Sequence, residues 1–369
     1  ALIDSSETSF GFREAVFLPD KGFFLNGTRV SLRGCNRHES MPGFGNALPP
    51  EMHREDARLI KGAGLNFVRL SHYPEHPAFL DECDRLGILV YAEIASWKSV
   101  RGWGRWLGNA CRQMKGMVIR DRNHPSIIIW GMGNESRSKR AFRKISAIVR
   151  DLDPGRPVTY AENHFYRAER KGTTGVSDVW GLNYELDAFG DGLNASRLRN
   201  VIVSECANYP HACRGNLKDE IEQVRLIEEH LAKLESRPEA AGYAIWCFND
   251  YATLRKERYL RYSGIFDAWR MPKMAVTLLQ AKYLEKPFIR VFAEWGTDEG
   301  RGEREVHVFT NCEKIEVFKG GEAVPVTGAP PHVVICTAFA SVPLRVKGWK
   351  GGASVEDEIL PYGKPVRLK

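Results

Sequence analysis

The sequence lacks most of the patterns that indicate a membrane, metal or redox function. No apolar run approaches the ~20 residues needed to span a bilayer, so we expect no membrane segment. The eight cysteines include no CxxC pair, and no HxH or HExxH spacing occurs, which argues against the common zinc and thioredoxin-type sites. The Gly-x-Ser-x-Gly frame of many serine hydrolases is also missing. We therefore predict neither a bound metal nor a cofactor.

Charge of one sign is not concentrated anywhere in the chain. Its 369 residues include 53 basic and 46 acidic ones, a net charge of +7. No motif accompanies the basic residues, so we expect no nucleic-acid binding. Solvated surface is the first interpretation of the excess, and attraction for an acidic sugar is the second. Cysteines in apolar segments, such as Cys247, favour a reducing compartment. No signal peptide is recognisable, which favours a cytoplasmic location over a periplasmic or secreted one.

Eight short apolar runs alternate with amphipathic helical stretches between about residues 29 and 285. Continuous apolar runs are typical of strands buried on both faces. Eight such strands with helices between them predict a (β/α)8 barrel. A doubly wound sheet would need a glycine-rich phosphate loop after an early strand, and none occurs. The runs are Val30–Cys35, Asn66–Ser71, Ile88–Glu93, Ile127–Gly133, Pro157–Ala161, Val179–Tyr184, Val201–Glu205 and Gly242–Phe248.

The pattern changes on both sides of this region. Residues 1–21 are interpreted as a strand and linker, and residues 22–286 as the barrel, which opens with a hairpin turn at Asn26-Gly27. Residues 287–369 form short alternating segments between Gly, Pro and Asp turns, which predicts a small immunoglobulin-like β-sandwich. Bracing the barrel is its expected role, with sugar binding or dimerisation as alternatives.

Polar and aromatic side chains follow seven of the eight predicted strands. Barrel active sites form at the carboxyl ends of the strands, so these side chains should converge. One such residue is more often a rim or salt-bridged residue, but their repetition indicates a site. For Trp246 a core role is an equal alternative, and the histidines are expected to bind sugar hydroxyls rather than a metal. The predicted substrate-binding residues are His38, Arg69, His72, Glu93, Trp97, Asn134, Asn183, Tyr184, Trp246 and Asn249.

Two carboxylates stand out as candidate catalytic groups. Glu135 follows the fourth apolar run and Glu205 ends the seventh, and we expect these strands to face each other across the barrel. Two acids about 5 Å apart can flank a glycosidic bond in a double displacement. One must stay protonated and the other ionised, so their surroundings must differ. Tyr184 is placed to hydrogen-bond Glu205 and keep it ionised.

Three segments resemble glycoside hydrolase family 2, which includes β-galactosidases, β-glucuronidases and β-mannosidases. They are Leu32–Glu39, Asn66–Pro74 and Arg120–Ser136. The resemblance covers roughly residues 10–285 and implies a retaining mechanism, with Glu135 as acid/base and Glu205 as nucleophile. The residues that match family positions contacting sugar or orienting the acids are His38, His72, Asn134, Tyr184 and Trp246.

The sequence also departs from the family pattern. Members usually carry two domains before the barrel, so we interpret the chain as a fragment with missing N-terminal domains, a natural minimal form, or one piece of a split enzyme whose partner supplies them. A homo-oligomer is a further possible partner arrangement. Many β-galactosidases bind magnesium through a Glu and a His after strand 3, but Ile94–Ser99 offers neither. The Asn-x-Lys motif of glucuronidases is absent from Lys256–Ser263, although Gly242–Asp250 and Gly264–Asp267 are more similar to glucuronidases.

The expected reaction is hydrolysis of a terminal β-linked sugar with retention. A β-galactoside is the first expected substrate, and a β-glucuronide or related acidic sugar is the second. A transglycosylase is a further alternative. A glycan-binding or assembly subunit with little turnover is the alternative of a different class.

Overall fold

A computed structural model describes residues 3–5, 7–98, 100–187, 200–237, 239–255, 258–296 and 302–361. The chain divides into two compact units. The first, called the barrel unit, comprises residues 1–61, 65–212 and 225–271, and the second, the C-terminal unit, comprises residues 62–64, 213–224 and 272–369. The predicted boundary at residue 286 therefore lies inside the second unit. No helix in the described ranges is long and apolar enough to cross a membrane.

The barrel unit begins with a small antiparallel sheet. Its strands are β1 (Ala15–Leu18), β2 (Gly22–Leu25) and β3 (Thr28–Arg29). Phe23 is fully buried and packs in one cluster with Leu32, Phe67, Leu89 and Ala241, which stand at or near the starts of barrel strands. This sheet therefore contributes apolar core at the amino ends of the barrel strands, and the polar residues lie at their carboxyl ends.

Eight parallel strands form a closed barrel, which confirms the predicted (β/α)8 barrel. Each strand pairs with its successor in the chain, and the last pairs with the first. The first four are β4 (Leu32–Arg37), β5 (Phe67–Leu70), β6 (Leu89–Glu93) and β7 (Ile127–Asn134). The other four are β8 (Val158–Glu162), β9 (Trp180–Asn183), β10 (Val201–Cys206) and β11 (Ala240–Ile245).

Helices connect most of these strands. In the described part the connecting helices are α1 (Pro50–Gly62), α2 (Pro77–Leu86), α3 (Gly104–Asp121), α4 (Lys139–Leu152), α5 (Phe165–Lys171) and α6 (Leu217–Glu235). A further helix, α7 (Met274–Tyr283), follows the last barrel strand and belongs to the C-terminal unit. Helix α2 has clear signals at both ends: the ring of His76 accepts a hydrogen bond from Ala78 N, and Gly87 takes the left-handed conformation (φ 66°) after the last turn.

After β11 the chain forms a hairpin of β12 (Tyr251–Arg255) and β13 (Arg258–Arg261). The last barrel strand was predicted to continue to Phe248 but ends at Ile245. The reason lies in the backbone hydrogen bonds, because Cys247 N donates to Ser263 O and Phe248 N donates to Asn36 O. These bonds turn the chain into the mouth of the barrel at Trp246.

The C-terminal unit contains two antiparallel sheets. Its strands are β14 (Ile289–Phe292), β15 (Glu303–Thr310), β16 (Lys314–Lys319), β17 (Glu322–Val324), β18 (His332–Ala338), β19 (Leu344–Lys350) and β20 (Ala353–Ile359). One sheet has the order β14-β15-β18 and the other β17-β16-β19-β20. Val306, Val308, Val333, Val317 and Val346 share one buried cluster, so side chains of both sheets form a common core.

Candidate active site

The barrel brings the two candidate carboxylates to the same end. Asn134 ends β7 and Glu135 follows it, while Glu205 lies near the end of β10. In the ring of eight strands β7 and β10 are three positions apart. The sequence predicted that these strands face each other across the barrel. That prediction was wrong, because opposite strands in a ring of eight are four positions apart. Tyr184 interacts electrostatically with both acids. Burial raises the pKa of its phenol most, and Glu205 and then Glu135 raise it further.

Glu205 is almost completely buried and receives three hydrogen bonds. Arg69 Nη1 donates to its Oε1 at 2.8 Å and Asn183 Nδ2 donates to the same oxygen at 2.9 Å. The hydroxyl of Tyr184 donates to Oε2. Burial raises the pKa of Tyr184 well above its ordinary value, and Glu205 raises it further, so the phenol keeps its proton. All three donors stabilise an anionic carboxylate and fix its orientation.

Glu135 has a different environment. Its backbone N donates to Ala161 O of β8 at 2.7 Å, and its side chain is 12 % exposed with Lys98 Nζ 3.3 Å from Oε2. The residue has φ of 46°, and Tyr184 and Lys98 have φ of 63° and 59°. Such left-handed conformations are costly for side chains other than glycine and concentrate where a structure holds functional groups in place.

Arg69 connects the buried residues beneath the barrel mouth, the opening at the carboxyl ends of the strands that we call the cleft. This guanidinium is fully buried and donates to Glu93 Oε2 (2.7 Å), Asn134 Oδ1 (2.9 Å) and Asn36 Oδ1 (3.2 Å), besides Glu205. Burial by itself lowers the pKa of Arg69, but the carboxylates, Glu93 first, outweigh it and raise that pKa. Arg69 therefore remains a cation that links the ends of β4, β6, β7 and β10.

Glu93 and His72 extend this network to the cleft surface. His72 Nδ1 lies 3.0 Å from Glu93 Oε1, and the ring of His72 stacks on Trp246 at 5.3 Å between centroids. Burial alone would raise the pKa of Glu93, but Arg69 and His72 outweigh it and lower that pKa. Glu93 is thus an anion that orients the His72 ring.

His38, Trp246 and Tyr251 form a cluster beside this network, which we call the aromatic wall. The edge of His38 meets Trp246 at 5.3 Å, and its ring lies 4.4 Å from Tyr251. Trp246 Nε1 donates to the Tyr251 hydroxyl at 3.3 Å. Burial lowers the pKa of His38 to about 3, and electrostatic interactions with His72 and the Arg69 cation contribute. His38 is therefore neutral at ordinary pH and suited to hydrogen-bond a hydroxyl group.

A second buried network fixes the backbone that carries His38. Arg37 bonds Asp56 Oδ2 of α1 (2.6 Å) and also pairs with Glu75. Arg270 bonds Asp56 Oδ1 (2.9 Å) and donates to Ser40 O (2.9 Å). Burial raises the pKa of Glu75 to about 8, although Arg37 opposes the shift. The loop after β4 is thus anchored from both sides.

This geometry can be compared with known proteins. The family model described as "Glycosyl hydrolases family 2, TIM barrel domain" matches residues 16–287. The chain belongs to glycosyl hydrolase family 2. It is 35 % identical over 347 residues to a β-galactosidase of Thermoanaerobacterium thermosulfurigenes, covering 86 % of this chain and 46 % of that protein. It is 28 % identical over 387 residues to a putative β-glucuronidase of Formosa agariphila, covering 88 % and 46 %.

Solved structures of β-glucuronidases share the architecture. The chain superposes with a TM-score of 0.85 and 27 % identity on Bacteroides uniformis β-glucuronidase 2, covalently bound to cyclophellitol-6-carboxylate aziridine. That comparison covers 96 % of this chain and 49 % of the other. The chain therefore spans about half the length of the relatives that it matches.

Several residues of this family 2 site were predicted to contact sugar but are fully buried. Arg69, Glu93, Asn183 and Asn249 present no surface to the cleft, and Asn134 is almost as buried. Asn249 Nδ2 instead donates to Ser40 O at 3.3 Å. Their observed partners are other protein groups, and direct contact with sugar stays a prediction for them. They position the residues that do face the cleft.

The remaining predicted residues lie at the mouth. His38, His72 and Tyr184 are partly exposed, Trp246 is mostly buried against them, and Trp97 is 53 % exposed. Trp246 is therefore neither a core residue away from the site nor a widely exposed surface for stacking. It belongs to the aromatic wall.

Three residues of the site were missed from the sequence. Asn36, Tyr251 and Lys98 contact the predicted residues directly. Asn36 and Lys98 stand close in sequence to the predicted site residues His38 and Trp97. Their position at or shortly after the end of a strand was therefore the signal that could have identified them. Their roles depend on which way each side chain points, which no spacing rule supplies. Across the residues that the structure describes, no group of three or more His, Cys, Asp or Glu is arranged to hold a metal.

Proposed function

We propose that this chain is the catalytic barrel of a retaining β-glycosidase, with Glu205 as nucleophile and Glu135 as acid/base. One observation carries the proposal: a buried carboxylate held by three donors shares a barrel mouth with a second, cleft-facing carboxylate in different surroundings. Unlike environments are what a pair of acids needs in order to take different protonation states.

The reaction proceeds in two balanced steps. Glu205 Oε attacks the anomeric carbon, and the glycosidic bond breaks as protonated Glu135 gives its proton to the departing oxygen. Ionised Glu135 then takes a proton from water, which attacks the anomeric carbon and releases Glu205. The donors on Glu205 are in place before the reaction begins, so little reorganisation is needed at the transition state.

A β-galactoside is the proposed substrate, with galactose as the glycone. The β-galactosidase named above is the more similar of the two relatives in sequence, and the glucuronidase Asn-x-Lys motif is missing from the hairpin segment. A β-glucuronide is the second candidate, since Arg261 pairs in register with Tyr251 of the aromatic wall. Its guanidinium is already hydrogen-bonded to Asn208 and Ser263, which is why we rank it second.

Two further proposals concern the C-terminal sheets and the longer protein. We propose that the two C-terminal sheets form an immunoglobulin-like sandwich, which their common valine core supports. We also propose that complete substrate binding requires domains found in the longer relatives, or a partner or second copy that supplies them. Transfer of the sugar to an acceptor other than water remains the alternative reaction, and glycan binding with little turnover the alternative class.

Chromogenic β-galactoside, β-glucuronide, β-mannoside and β-glucoside test the proposal against Glu135→Ala and Glu205→Ala variants. We expect release from one sugar, lost in both variants. Azide should restore it as the β-glycosyl azide in Glu135→Ala and as the α-glycosyl azide in Glu205→Ala, because azide replaces either the second-step nucleophile or Glu205 itself.

The matched control is Glu185→Gln, a carboxylate two residues after Asn183 that accepts a hydrogen bond from Phe165 N. It should keep full turnover. Full activity in Glu205→Ala would refute its role as nucleophile. No release from any sugar by the correctly folded parent protein would refute autonomous hydrolysis. Binding of a glycan without release would support the binding-module alternative, and appearance of longer products would support transfer.

A further inference from the structure

The loop after β6 runs alongside the end of the strand that carries Glu135. Trp97 forms a parallel bridge with Asn134, Lys98 N donates to Asn134 O at 3.0 Å, and Asn134 N donates to Ser96 O at 2.7 Å. Further along, a Cβ added at Gly102 would lie 3.0 Å from Ser138 Oγ. The loop therefore follows β7 and the segment after it, on the side of Glu135.

This position has a chemical meaning if Glu135 is the acid, so the inference rests on the proposed function. The acid protonates the oxygen of the leaving group, and side chains next to the acid on the cleft surface meet the leaving group. We propose that Trp97 and Lys98 form the leaving-group subsite and select planar leaving groups that carry a negative charge.

The two side chains are suited to such a group. Trp97 is 53 % exposed, a large flat surface at the mouth on which a ring can stack. Lys98 Nζ lies over one face of that ring, 4.7 Å from its centre, and 3.3 Å from Glu135 Oε2. An ammonium beside an aromatic face attracts a ring that carries a carboxylate, because stacking and ion pairing then act on one molecule.

The ionic partner of Lys98 changes during the proposed reaction. When Glu135 carries the proton that it donates, it no longer neutralises Lys98, and an anionic leaving group supplies the missing charge. Arg69 cannot take this role, since it is fully buried and engaged with Glu93 and Glu205. Lys98 is 47 % exposed and accessible to a ligand.

Two substrates with the same glycone measure this selectivity: the 4-methylumbelliferyl glycoside and its 3-carboxyumbelliferyl counterpart. The kcat/KM ratio of the carboxylated to the neutral substrate is compared between the parent protein and Lys98→Met, so that the intrinsic difference between leaving groups cancels. We expect the ratio to fall about two- to fivefold in Lys98→Met, the range of exposed ion pairs, and to be retained in Lys98→Arg.

Trp97→Ala tests the aromatic part. Both umbelliferyl substrates should lose kcat/KM by roughly two- to tenfold relative to the glycosyl fluoride, which has no ring to stack. The matched control is Lys347→Met, because Lys347 Nζ lies 5.3 Å from the centre of the Trp349 ring in the C-terminal unit. It repeats the lysine–tryptophan geometry away from Glu135 and should leave both ratios unchanged.

The outcomes separate this inference from the proposed function. Turnover with an unchanged ratio in Lys98→Met would overturn the subsite and leave the glycosidase intact. If the parent protein releases no leaving group, saturation-transfer NMR with free 3-carboxyumbelliferone decides instead. Binding that weakens at least twofold in Lys98→Met and Trp97→Ala would support the subsite, and equal binding in all three proteins would overturn it.

Discussion

Replacing Arg69 by Met removes the cation at the centre of the site. Arg69 and Glu93 are both fully buried, and Arg69 Nη2 and Nε lie 2.7 and 3.0 Å from Glu93 Oε2. Methionine fills much of the volume but donates no hydrogen bond, which leaves Glu93 as a buried anion with His72 as its remaining neighbour of this network. Breaking a buried pair in this way reduces the free energy of unfolding by about 3–5 kcal/mol.

The loss should depend on pH in a defined direction. In the parent protein the pKa of Glu93 is lowered, so its stabilisation is present above the unfolded value of 4.5 and is lost as the pH falls through the folded value. In Arg69→Met, burial is no longer opposed by Arg69, and the pKa of Glu93 should rise. The variant then gains stability as the pH falls towards 4.5.

Chemical denaturation followed by far-UV circular dichroism at pH 7.5 and at pH 5 measures the difference. We expect a gap of about 3–5 kcal/mol between parent and variant at the higher pH and a clearly smaller gap at the lower pH. Adding Glu93→Gln should recover part of the stability by removing the unpaired charge, without restoring turnover.

The control is Arg150→Met at an exposed ion pair. Arg150 is 56 % exposed and its Nη2 lies 2.9 Å from Asp178 Oδ1, so its removal should change stability by about 0–1 kcal/mol. If Arg69→Met costs no more than Arg150→Met, or if its cost does not shrink on acidification, the reasoning about a buried, compensated charge is wrong.

Three further predictions follow from the site. Tyr184→Phe removes a donor to the Glu205 carboxylate and should lower kcat/KM by roughly 10- to 150-fold, the equivalent of about 1.5–3 kcal/mol for a hydrogen bond to a charged group, with an unchanged circular dichroism spectrum. Gly131→Ala places a Cβ 2.3 Å from Tyr91 and 3.0 Å from Glu93, so overpacking should reduce the free energy of unfolding by about 1–3 kcal/mol and lower turnover as well. Dialysis against EDTA should change kcat/KM by less than about twofold, because the described residues contain no cluster suited to a metal; a larger loss, restored by Mg²⁺, would contradict this.

Local chemistry was sufficient to predict most of the barrel. Strands buried on both faces must be apolar along their whole length, so runs such as Ile127–Gly133 predicted strands where the structure has them. Gly87 ended a helix because it tolerates the left-handed conformation. The end of β11 could not be predicted, because the hydrogen bonds that turn the chain at Trp246 come from Ser263 and Asn36.

The sequence by itself determined which residue types stand at the ends of the barrel strands, and with them the candidate carboxylates Glu135 and Glu205. It did so because a parallel barrel gathers those ends at one mouth whatever the loops do. Which side chains face the cleft and which lie behind it was decided only by the tertiary structure. Arg69 is buried because barrel closure surrounds it with partners from distant strands. Lys98 reaches Glu135 because the loop after β6, which has no regular sequence pattern, runs alongside the end of β7.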